Sequence, residues 1–117
     1  MKRLAIFSIF LAAQAFAHHG WSEYDTGQPL ELSGSIEESG YVHPHGLVRL
    51  KTTNKTWTVV LAPPSRMQNR GLTQEMLAPG KRAAAYGFPN RSNPDELRAE
   101  RITTRSTAKR RNCADAG

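Results

Sequence analysis

Four histidines carry the chemistry this chain could do, and all lie in its first half: His18, His19, His43 and His45. His18-His19 directly follows a stretch with Lys2 and Arg3 as a charged start, an apolar run from Leu4 to Ala13, and the small-residue end Ala15-Phe16-Ala17. That is the pattern of a removable export signal, and cleavage after Ala17 makes His18 the first residue. A terminal histidine offers its α-amine and ring Nδ1 together, a chelate that suits Cu(II). The amine titrates near about 7.7–8.0 when unperturbed, so a metal can compete for it at neutral pH. Nitrogen-rich, low-symmetry ligation favours copper over calcium or magnesium, with zinc second.

The other two histidines form His43-Pro44-His45. Pro44 biases His43 towards an extended conformation, in which side chains two apart point to one side. A strand-borne His-x-His can bind zinc or copper, and an arm of roughly 12 residues at about 3.3 Å per residue is long enough to fold back to it. The candidate metal site is therefore His18 and His19 with His43 and His45, and copper is the expected cofactor. Each histidine also has a plainer role: His19 as a polar residue beyond a cleavage site, His45 as a donor to a turn carbonyl, His43 as a solvated turn residue.

The elements that must position these residues are strands. Leu30, Leu32, Gly34 and Ile36 alternate with Glu31, Ser33, Ser35 and Glu37, the period of a half-buried strand. Ser39-Gly40 offers a turn before Tyr41 and Val42. Leu47 to Lys51 reads as a second strand, and Thr53-Asn54-Lys55 as a tight connection. Thr56 to Leu61, β-branched and aromatic, is the strongest strand of all. Pro63-Pro64 ends it, and two short helical turns follow over Arg66 to Asn69 and Gln74 to Leu77, with Ser65 and Thr73 as caps. Lys81 to Phe88 reads as strand because Pro79-Gly80 and Gly87-Phe88-Pro89 bracket it, although its three alanines also suit a helix. Leu97 to Thr103 is a final strand or a short helix.

Three strands, a helical connection and two more strands make an all-β fold, a small five-stranded OB-like barrel. The domain boundaries expected are 1–17 for the signal, 18–29 for an extended arm, 30–103 for the barrel and 104–117 for a disordered basic tail. Trp57, Tyr86 and Phe88 alternate with small or polar neighbours and are expected in the core, in preference to a base-stacking surface.

Charge excludes one class of partner. The chain carries a net +6, but Lys2 and Arg3 belong to the signal, and Arg101, Arg105, Lys109, Arg110 and Arg111 to the final stretch against Asp115 alone. Residues 18–100 hold nine basic and nine acidic side chains. No nucleic-acid partner is expected from so neutral a body. The apolar run of the signal is shorter than the roughly 20 residues that span a bilayer, so no transmembrane segment is expected after cleavage. Cys113 is alone and forms no internal disulfide. No nucleophile elbow or phosphate-cradling glycine loop is present. Glu37 and Glu38 are adjacent on a strand and point to opposite faces, and Glu23 with Asp25 reads as a solvated acidic arm.

Taken together, His18-His19, the strand Leu32 to Ile36, His43-Pro44-His45, Trp57 to Leu61, Arg70-Gly71 and Pro79-Gly80 resemble a family of small exported bacterial domains of unknown function. Its members share a His-His mature start and an Asn-Pro-His turn. Here His43 stands in place of the usual Asn, and the residues after Thr103 lack the family's apolar ending. The resemblance implies a fold and an address, periplasmic or secreted, and no activity. The expectation is an exported non-enzymatic binding domain holding copper through its mature N-terminus and the His-Pro-His turn. The alternative is a metal-free module that binds a protein or envelope component.

Overall fold

Period-two alternation builds five strands, and their registers close them into one barrel. The structure, a computed structural model, describes residues 21–105; residues 1–17 expected as a signal, His18, His19, Cys113 and the tail from Ser106 lie outside the described residues. The strands are β1 (Leu30–Gly40), β2 (Leu47–Lys51), β3 (Thr56–Val60), β4 (Arg82–Pro89) and β5 (Glu96–Arg105), with helix α1 (Pro64–Asn69) after β3. Single 3-10 turns cover Trp21–Glu23 and Glu75–Leu77. The order around the barrel is β1-β2-β3-β5-β4, with every pairing antiparallel except β3 with β5. The expected OB-like barrel is what the chain forms.

The stagger of the barrel can be followed residue by residue. Gly40 pairs with Leu47, Leu47 with Val60, Val60 with Arg98 and Arg98 with Phe88, while Leu30 pairs with the adjacent Gly87. One circuit thus returns to β1 about ten residues from its start, the strong tilt that lets five strands enclose a filled interior. Ile36, Val48, Leu50, Val59, Ala85 and Leu97 are sealed inside with Trp57 and Leu61, and Met67 of α1 and Leu77 close the core. Ala83 and Ala85 decide the strand reading of the alanine run, because their small side chains fit the crowded interior of a narrow barrel.

Four local expectations are corrected. Ser39-Gly40 does not turn: a register shift between Ile36 and Glu38 marks a bulge, and Glu38, Ser39 and Gly40 go on pairing with Arg49, Val48 and Leu47. The extra residue at a bulge changes the alternation, and Glu37 and Glu38 are both exposed. Ser65 caps nothing; α1 starts at Pro64 behind Pro63 with no side-chain cap, since a proline at the first turn lacks only an N–H that would have been unpaired. Thr73 caps nothing either, as the second turn starts after Gln74. The arm is not simply extended but makes a 3-10 turn, and Tyr24 then bridges to Asn90.

Tyr86 and Phe88 require a further correction. They were expected inside with Trp57, yet Ala83, Ala85 and Gly87 take the inner positions of β4, and Tyr86 and Phe88 stand half-buried on its outer face. The barrel is too narrow there for aromatic rings: the β5 backbone comes so close that a Cβ on Gly87 would overlap the carbonyl of Arg98. A Cβ on Gly34 would likewise overlap the Lys51 carbonyl. Both glycines serve close backbone approach within a strand.

Gly87→Ala is therefore expected to lower unfolding free energy by about 2–3 kcal/mol in a denaturant titration, the cost of overpacking a site that only backbone movement can relieve. Gly80→Ala at a turn with open space beside it loses less, from its positive φ of 88° alone.

Candidate functional site

The arm is fixed to the barrel at the first residues of β5. Tyr24 is 1% exposed, and its hydroxyl donates to the Glu96 carboxylate at 2.5 Å. Asn90 Nδ2 donates to the same oxygen at 3.3 Å. Backbone bonds flank this pin: the Asp25 N–H donates to the Pro89 carbonyl at 2.9 Å and the Arg91 N–H to the Glu23 carbonyl at 2.9 Å. An ion pair between Arg91 and Asp25 at 3.7 Å is partly exposed and adds little. Asp25 is thus not free in solvent as expected; it also accepts from the Gly27 N–H at 3.1 Å.

Ahead of the pin, Trp21 lies on the outer face of the sheet, 49% exposed. The Arg98 guanidinium sits 4.4 Å from its ring centroid, and Phe88 meets it edge-on at 5.8 Å. Phe88 continues to Tyr86 at 6.2 Å, and Tyr86 carries the Arg101 guanidinium at 4.7 Å. An aromatic and arginine ladder therefore runs along the outside of β4 and β5. Stacked cations and edge-to-face rings each stabilise by roughly 0.5–1.5 kcal/mol. Sequence reasoning missed this ladder because alternation shows that Tyr86 and Phe88 share a face, not which face is inside.

The same outer row ends at Leu47, the first residue after the histidine turn and Gly46. Phe88, Arg98, Val60 and Leu47 are cross-strand neighbours in sequence around the barrel, so Leu47 lies two strand spacings, about 10 Å, from the Arg98 on which Trp21 rests. His45 is two residues before Leu47. Its segment is clipped to the end of β3, with the Gly46 N–H donating to the Ala62 carbonyl at 3.1 Å and the Leu61 N–H to the Gly46 carbonyl at 2.8 Å. Before it, the Tyr41 hydroxyl donates to the Leu72 carbonyl at 2.8 Å. The expected extended His-x-His is corrected: residues 43–44 form a bend, with the His43–Pro44 peptide cis. His43 is exposed, whereas His45 is half-buried with its Nδ1 out of contact with solvent. Among the described residues, no three His, Cys, Asp or Glu side chains converge as a metal site; His18 and His19 lie outside them.

A groove of about 290 Å³ opens between α1 and β5. Leu61, Met67, Leu72 and Ile102 give it an apolar lining, and Arg66, Arg70 and Arg101 rim it with Glu100. Its sequence signal is the four-residue spacing of Arg66, in α1, and Arg70, just past its end, which sets side chains near one another along a helical turn. No helix among the described residues is long and apolar enough to cross a membrane.

Burial, and then the Glu96 carboxylate that accepts its hydrogen bond, push the Tyr24 hydroxyl up to about 12 from 10.0. The folded state holds this proton more tightly than the unfolded chain does. The contribution is complete below pH 10 and is lost as pH rises through about 12. Ultraviolet titration is expected to show one late-ionising tyrosine, absent in Tyr24→Phe. That variant also loses about 1 kcal/mol of stability and red-shifts the emission of Trp21.

Comparison with known proteins adds fold and family. The chain is similar to a chain in the crystal structure of the S. pombe Stn1-ten1 complex, at 14% identity and a TM-score of 0.52 over 75% of this chain and 65% of that one. It is also similar to TiaS in complex with tRNA, AMPCPP and agmatine, at 16% identity and a TM-score of 0.53 over 68% of this chain and 19% of that one. The chain thus spans less than two thirds of either structure, and identities this low show likeness of fold alone. No curated protein matches. A model of a family of unknown function, DUF6152, matches residues 7–98, and the chain belongs to that family.

Proposed function

We propose that this protein is an exported, non-enzymatic binding domain whose ligand is copper, held by the mature N-terminus together with the histidine turn. One observation carries the reading: the arm is pinned so that Trp21 rests on Arg98, in the same cross-strand row that leads through Val60 to Leu47 and the turn. His18 precedes Trp21 by three residues, a reach of about 10 Å. About 10 Å separates Arg98 from Leu47, and His45 lies two residues before that. The reach of His18 is thus comparable with the span to the turn, which supports a site shared by the His18 chelate and one imidazole of the turn with the arm docked.

The environment of the turn favours His43, which is exposed and offers either ring nitrogen, over half-buried His45, whose Nδ1 is out of contact with solvent. The nitrogen-rich set of α-amine and imidazoles suits Cu(II), with Zn(II) second. No hydrolytic or redox step is assigned to the site. The supporting facts for export are the charged start, apolar run and Ala-Phe-Ala end of residues 1–17.

Calorimetric titration of the mature protein is expected to show one Cu(II) per chain, bound at least 100-fold more tightly than by a variant with one alanine added before His18. A double variant His43→Ala, His45→Ala is expected to lose about tenfold while keeping the amino-terminal chelate. Unchanged affinity in the extended variant overturns the chelate. No binding to the mature protein leaves the metal-free module for a protein or envelope component.

A further inference from the structure

The parallel pairing that closes the barrel is short. Thr58, Val59 and Val60 pair with Glu96, Leu97 and Arg98, and there β3 ends. β5 runs on for seven more residues, 99–105, still paired to β4 on one side. On the other side, among the described residues, no strand pairs with it. Instead the groove between α1 and β5 lies along this edge, lined by Ala99, Ile102 and Thr103 from the strand and by Leu61, Met67 and Leu72 opposite. A row of backbone donors and acceptors beside an apolar trough is the arrangement into which an extended peptide inserts as an added strand.

Charge names the kind of peptide. Arg66 and Arg70 stand on the α1 side of the groove and Arg101 on the β5 side, against the single acid Glu100. Arg101 is steadied on its other flank by the Tyr86 ring. The chain's own sequence after Arg105, which contains Lys109, Arg110 and Arg111, has the wrong sign to occupy a trough rimmed by three arginines.

We infer that the β3–β5 gap is a docking site for an extended, acidic segment of another protein, which adds to the free edge of β5, places apolar side chains on Leu61, Met67, Leu72 and Ile102, and pairs its carboxylates with Arg66, Arg70 and Arg101. The site is separate from the copper reading, since it uses neither the arm nor His43 and His45. Each can fail without the other.

The test is fluorescence anisotropy of the mature protein with a labelled, acetylated eight-residue peptide of alternating glutamate and valine, beside the same peptide with lysine for glutamate. The acidic peptide is expected to bind, to weaken as salt screens the contact, and to bind the double variant Arg66→Glu, Arg70→Glu about tenfold more weakly. Both arginines are exposed, Arg66 on α1 and Arg70 just past its end, so the variant should fold, and an unchanged thermal midpoint checks this. Hydrogen exchange should slow at amides in residues 99–105 when the acidic peptide is present. No binding at millimolar peptide, equal binding of the lysine peptide, or equal binding by the double variant overturns the proposal. A chain ending at Arg105 should bind the acidic peptide as the mature protein does. If it binds at least tenfold more tightly, the tail occupies the groove and the assignment to a partner is wrong.

Discussion

Pairing of Thr58–Val60 with Glu96–Arg98 spans three residues, yet it converts a curled sheet into a closed barrel. A sheet of five strands left open would expose Leu97 and Val59, both now sealed from water; burying each such side chain is worth about 1.5–3 kcal/mol. The pairing begins where the Thr58 N–H donates to the Asp95 carbonyl at 2.8 Å. Lys55 holds the two sides of that junction, donating to the Pro94 carbonyl at 2.7 Å, pairing with Asp95 at 3.0 Å and lying 4.1 Å above the Trp57 ring. The exposed ion pair is weak by itself; its use is to fix the β4–β5 loop so that β5 enters in register.

The same short junction holds the arm. Glu96 and Arg98 belong to the residues that close the barrel, and they also receive Tyr24 and Trp21. Closure and docking of the arm are thus coupled: opening β3 from β5 moves both anchors of the arm. Because β5 outruns β3, closure also leaves the strand edge and the arginine-rimmed groove beside α1. One geometric fact, a three-residue parallel contact on a ten-residue strand, produces both surfaces.

Much of the fold was legible because alternation and strong turn residues coincide. Leu30 to Ile36, Leu47 to Lys51 and Trp57 to Leu61 are period-two runs with glycine, proline or asparagine at their ends, and each became strand. Where the sequence misled, a tertiary contact outweighed a local preference. Ser39-Gly40 looked like a turn, but the bulge beside Glu37 re-registers β1 and the partner strand holds it extended. Tyr86 and Phe88 looked like core; the approach of β5 to Gly87 leaves room inside only for Ala83 and Ala85. Of the site, the sequence showed the histidines but not the bend at residues 43–44, and nothing in it announced that Tyr24 would be pinned by Glu96, 72 residues away.

The proposed copper site requires the docked arm to bring the new N-terminus to the histidine turn. Paramagnetic broadening tests it most directly: the amide spectrum of the mature protein is compared before and after addition of substoichiometric Cu(II). Signals from residues 43–47 are expected to vanish together with those of the arm ahead of Tyr24. Broadening confined to the arm, with His45 and Leu47 left sharp, contradicts it.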